Sequence, residues 1–177
     1  MLTWTKLLFF LCGALSPALC CDWLRHYRHL SNTTRSLLNV MGGQLTEEAC
    51  PVYFPNKLYS NIRTAEVESQ LVFIRDSLQL ILDLYHHDNL SSSTWDADLT
   101  EHFLKSVERQ LDGVNTCVST HRAPDRGLRR YYRTLRRTLH RTGSGNASWE
   151  LIRKETKRHL DQLELLVAFI RSRTPPV

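Results

Sequence analysis

Ser148-Trp149-Glu150-Leu151-Ile152-Arg153-Lys154-Glu155 opens the last of five segments that carry the helical period. Ser148 has the hydroxyl acceptor that a first helical turn needs for its unpaired N–H groups. From there Trp149, Ile152, Thr156, Leu160, Leu163, Val167 and Ile170 recur at steps of three and four, which draws one mainly apolar stripe along the helix. Pro175-Pro176 ends the ordered chain.

Working outward, the same period appears four more times, and sustained strand alternation appears nowhere. The fourth segment opens after Pro124 and places Leu128, Tyr132, Leu135 and Leu139 on one side. Its opposite side is filled by Arg126, Arg129, Arg130, Arg133, Arg136, Arg137 and Arg141, just after Arg122. The third segment, capped by Ser93 or Thr94, turns Leu99, Phe103, Val107, Leu111 and Val114 inward. The second, Thr64 to Tyr85, carries Val67, Leu71, Ile74, Leu78, Ile81 and Tyr85 with further apolar residues around it, so it reads as the central helix. The first, Asp22 to Met41, aligns Trp23, Leu24, Tyr27, Leu30, Leu37, Leu38 and Met41.

The connection from Gly42 to Arg63, with Pro51, Phe54 and Pro55, is long for a compact domain. It can run the length of a bundle and let two successive helices point the same way, as cytokine bundles with crossover connections require. The expected fold is therefore an all-α, five-helix bundle of up-up-down-down type with a long first crossover loop.

Lys6, the apolar run Leu7 to Leu15 and Pro17-Ala18-Leu19-Cys20 read as a signal peptide over residues 1–20, leaving residues 21–177 as one helical domain. Cleavage after Cys20 starts the product at Cys21; cleavage after Ala18 retains Cys20. Loss of Lys6 lowers the formal charge from +5 to +4, too little to imply nucleic acid. Three cysteines remain, Cys21, Cys50 and Cys117, so at most one internal bridge forms and spacing does not say which. Asn32, Asn89 and Asn146 open glycosylation sequons, and Asn32 projects away from the apolar stripe. No metalloprotease, phosphate-loop or hydrolase signature occurs, and His86-His87 point about 100° apart, which suits no shared metal. Neither catalysis, a metal nor a cofactor is expected. The arginine face suits a glycosaminoglycan or an anionic membrane surface.

Five stretches in order resemble type I interferons, most closely the fish-type two-cysteine group. They are Cys21-Asp22-Trp23-Leu24-Arg25-His26-Tyr27, Phe54-Pro55, Thr94-Trp95-Asp96, the run from Leu111 to Ser119, and Trp149-Glu150-Leu151-Ile152-Arg153-Lys154-Glu155. The resemblance implies a secreted, monomeric antiviral cytokine with an interferon-like fold. Such a protein bridges two class II cytokine receptor chains of the interferon alpha/beta receptor type to start JAK-STAT signalling. It also implies a Cys21–Cys117 bridge, and a higher-affinity receptor face on the first loop and last helix at Phe54, Arg153, Lys154 and Lys157. Cys50 departs from the pattern: Ala147 stands where related chains with a second bridge carry its partner, leaving either a free thiol or a covalent dimer. The rival expectations are a helical cytokine of another branch and a cationic membrane-active defence protein.

Overall fold

A computed structural model describes residues 21–86, 90, 93–119, 123–141, 143 and 145–173. The signal peptide, Asn89, His87, Arg122 and the terminal Pro175-Pro176 lie outside the described residues. Among the described residues there are six helices and no strand: α1 (Asp22–Val40), α2 (Asn56–Arg63), α3 (Val67–His86), α4 (Ala97–Asn115), α5 (Arg126–Arg141) and α6 (Asn146–Arg173). Five match the expected segments. The sixth, α2, is a two-turn helix inside the crossover loop. Eight residues are too few to hold a helix alone; α2 persists because Tyr59 is sunk into the core beneath it.

Paired ends give the topology. Cys21, before α1, is bridged to Cys117, after α4, with Cα atoms 5.1 Å apart. At the other end the Asp96 N–H donates to the Met41 carbonyl at 2.8 Å, so α1 and α4 are antiparallel. Arg153 near the start of α6 reaches Leu38 near the end of α1, and Ser31 reaches Glu164 further along α6. Tyr85, at the end of α3, donates to Thr156 early in α6. The helices α1 and α3 thus run one way and α4 and α6 the other, with α5 packed against α3 and α6.

Helix boundaries follow local chemistry. Asp96, not Ser93 or Thr94, caps α4: its side chain accepts the Leu99 N–H at 2.8 Å. Asp125 does the same for α5, accepting from Gly127 and Leu128. Ser148 is not a cap, because α6 begins two residues earlier at Asn146 and Ser148 is buried within its first turn.

Trp149, Trp95, Tyr85 and Phe103 form an aromatic cluster at one end of the core, with Trp95 and Trp149 centroids 5.7 Å apart. The α1–α4 seam is partly polar. Thr34 Oγ1 lies 2.6 Å from Ser106 Oγ and accepts from Gln110 Nε2 at 2.6 Å. Gly113 is required on this seam, since a Cβ there would stand 2.3 Å from Trp23 Cδ1.

Candidate functional site

The crossover loop is held against α6 by two buried groups. The first is Arg153, which is 0% exposed. Its Nη1 donates to the carbonyls of Leu38 and Asn39 at 3.1 and 3.2 Å, and Nη2 donates to Gly43. These carbonyls stand at and beyond the end of α1, where helical partners run out. A planar guanidinium can fork across several such oxygens, which an ammonium cannot. The charge is met by Glu150, whose Oε2 accepts from Nε and Nη2 at 3.0 and 2.7 Å. Glu150 Oε1 also accepts from the Trp95 indole N–H.

The second group is an aromatic cage. Phe54 is 8% exposed and stacks on Tyr59 at 5.4 Å, with the Arg158 guanidinium 4.3 Å from its ring centroid. His159 lies beneath, 4.7 Å from Phe54, and its Nδ1 is 2.6 Å from the Tyr59 hydroxyl. Burial, helped by the nearby Arg158 charge, pushes the His159 imidazole down to about 3, so it is neutral at physiological pH. Tyr131 of α5 closes the cage and donates to Glu155 Oε2 at 2.8 Å.

Of the expected receptor-face residues, Arg153 and Phe54 are therefore turned inward rather than presented on the surface. Arg153 does not sit at an open rim; its side chain turns under the loop and spends its donors on backbone carbonyls. Phe54 is pinned inside the cage. Lys154 and Lys157 are half-buried on the flank above. Lys154 Nζ donates to the Glu48 carbonyl of the loop at 2.7 Å, and Lys157 pairs with Asp161 at 2.8 Å. Asp161 also meets Arg35 of α1 at 2.9 Å, which continues the network onto Glu164.

Two exposed neighbours went unmarked in the sequence reading. Tyr53 is 96% exposed beside the buried Phe54, and Arg158 is exposed beside Lys157. Alternation along the loop was the available signal: when Phe54 faces in, Tyr53 faces out. Cys50 is a free, half-buried thiol, and burial raises its pKa. Asn32 and Asn146 are exposed. Asn146 Oδ1 accepts from the Thr94 N–H and hydroxyl at 3.1 and 3.0 Å, tying the start of α6 to the approach to α4. Among the described residues no group of His, Cys, Asp or Glu is arranged to hold a metal ion, and no helix is long and apolar enough to cross a membrane.

The arrangement offers a partly cationic surface from which Tyr53 projects. The family model for the interferon alpha/beta domain matches residues 24–170. The chain is 41% identical to interferon a3 of Oncorhynchus mykiss over 170 residues, covering 95% of this chain and 97% of that one. It is 24% identical to interferon omega-2 of Equus caballus over 162 residues, 83% of this chain and 80% of that one. Among solved structures, zebrafish interferon 1 superposes with a TM-score of 0.75 at 28% identity, covering 84% of this chain and 99% of that one. Zebrafish interferon 2, at 18% identity and a TM-score of 0.61 over 77% and 96%, shares the fold.

Proposed function

Because the chain belongs to the interferon alpha/beta family, whose members are antiviral cytokines, we propose that it signals by bridging two class II cytokine receptor chains of the interferon alpha/beta receptor type. JAK-STAT signalling and an interferon-stimulated transcriptional response follow from that bridging. The protein acts as a secreted monomer once residues 1–20 are removed, with Asn32, Asn89 and Asn146 available for glycans.

The observation that carries this reading is Tyr53. Tyr53 stands 96% exposed beside the buried Phe54, and aromatic and arginine side chains dominate the energetic centres of interfaces. Its neighbour Phe54 is already packed in the aromatic cage, so ordering this part of the loop on binding costs little conformational entropy. The higher-affinity receptor chain then packs on Tyr53, with Lys154, Lys157 and Arg158 on the flank drawing in an acidic surface. Phe54 and Arg153 serve this face as positioning residues. The second receptor chain takes the α3, α4 and α5 side.

The test applies the purified chain from Cys21 to Val177 to teleost cells carrying an interferon-stimulated reporter, beside Tyr53→Ala and a Lys154→Glu, Lys157→Glu double variant. Reduced induction by both variants, with unchanged thermal unfolding, supports the proposed face. Full activity from both removes the face and keeps the signalling. Silence from the parent protein with its bridge intact removes the signalling role.

A further inference from the structure

The exposed side of α5 carries a charge arrangement that the bundle does not use. At about 100° per residue its buried positions, Leu128, Tyr131, Tyr132, Leu135 and Leu139, occupy one arc of the helix and its arginines occupy the opposite arc. Within that arc Arg126, Arg130, Arg133, Arg137 and Arg141 form a single exposed stripe about 80° wide and roughly 22 Å long. The helix contains no Asp or Glu. Among the described residues no ion pair joins any of these five arginines, whereas Arg35, Arg75, Arg153 and Arg158 are all paired. Five like charges on one stripe repel one another, so the folded protein bears a cost here that an extended polyanion would reverse.

We propose that this stripe is a docking site for a sulfated polysaccharide of the glycosaminoglycan class. Three features select that occupant. Guanidinium groups donate two parallel N–H bonds to a sulfo or carboxylate group, and they recur here along a straight line, as a linear polyanion needs. Insertion into a membrane would demand an exposed apolar face, and every leucine and tyrosine of α5 is buried in the core. A single-stranded nucleic acid would demand exposed aromatic platforms, and this side of α5 has none. The stripe includes neither Tyr53 nor Lys154, Lys157 or Arg158, so the proposal does not rest on that receptor face; on α5 the polysaccharide and the second receptor chain would compete for the same side.

The test measures binding of the glycosylated, disulfide-bonded protein to size-defined heparin oligosaccharides and to phosphatidylserine-containing vesicles over a salt series. The ladder variant Arg130→Gln, Arg133→Gln, Arg137→Gln is compared with a control of equal charge loss, Arg25→Gln, Arg28→Gln, Arg171→Gln. The expected result is about a tenfold or greater loss of heparin affinity and a shallower salt dependence for the ladder variant, with less than about a twofold change for the control. The substitutions are on exposed side chains, and matched thermal unfolding verifies the fold. Equal losses in both variants would overturn the proposal by reducing the effect to net charge. Unchanged heparin binding by the ladder variant would also overturn it, as would binding to vesicles that matches or exceeds binding to heparin.

Discussion

Arg153 Nη1 and the Leu38 carbonyl stand 3.1 Å apart across 115 residues of chain. That bond ties the start of the last helix to the end of the first, and together with the bond to Gly43 it sets where the crossover loop departs.

Arg153→Ala should be among the most destabilising single changes in the molecule. It strands three carbonyls and leaves the Glu150 carboxylate without its counter-charge in a largely buried position, a loss of about 3–5 kcal/mol. Arg153→Lys should recover only part of it, because one ammonium cannot reach the Leu38, Asn39 and Gly43 oxygens together. Urea unfolding of the three proteins checks the order.

Gly42→Ala tests the same junction from the other side. A Cβ there would meet Trp95 Cδ1 at 2.7 Å and the Arg153 guanidinium carbon at 3.0 Å. The loop must shift, and the expected cost is about 1–3 kcal/mol. Gly43→Ala, where a Cβ meets nothing within 4 Å, is the matched control and should be close to neutral in the same measurement.

His159 makes the protein acid-sensitive in a defined direction. Its pKa is about 3 in the folded chain against about 6.5 in the unfolded one. The unfolded state therefore binds a proton that the folded state refuses. The stabilisation is complete above about pH 6.5 and declines as pH falls toward 3, by up to roughly 4 kcal/mol at the bottom of that window. Thermal unfolding from pH 7 to pH 3 should show a flatter acid limb for His159→Gln than for the parent, even if the variant is less stable at pH 7.

Removing the Cys21–Cys117 bridge opens a loop with a sequence separation of 96. The Cys21→Ser, Cys117→Ser variant should lose about 4–5 kcal/mol on the chain-entropy account, seen as a lower urea midpoint. Cys50→Ser should leave the midpoint nearly unchanged, because Cys50 is unbridged and only half-buried.

The helices were legible because their buried faces are long and apolar. Leu71, Ile74, Leu78 and Ile81 of α3, and Leu160, Leu163, Val167 and Ile170 of α6, repeat often enough that no strand register competes. Short or polar parts escaped. In α2 only Leu58, Tyr59 and Ile62 carry the pattern, over two turns. The apolar stripe of α1 passes through Ser31 and Thr34, which are buried by virtue of hydrogen bonds to α6 and α4 that lie 72 or more residues away. Arg153 was visible as a member of a motif, but its burial was not. Its partners are mainly backbone carbonyls, and a carbonyl has no side-chain identity to be read from sequence. Cysteine spacing alone left three pairings open; the interferon resemblance selected the one found.

The antiparallel pairing of α1 with α6 also sets a schedule. During synthesis Gly43 emerges 110 residues before Arg153, and α1 earlier still, and until then the Leu38, Asn39 and Gly43 carbonyls have no guanidinium to meet. Tyr59 likewise waits for His159, 100 residues downstream. Contacts of such sequence separation form late and slowly. The surface bearing Tyr53 is thus assembled last, when the chain is essentially complete. A prematurely terminated chain that stops before α6 would leave the crossover loop without its anchors, and partial products of translation would not present the finished surface.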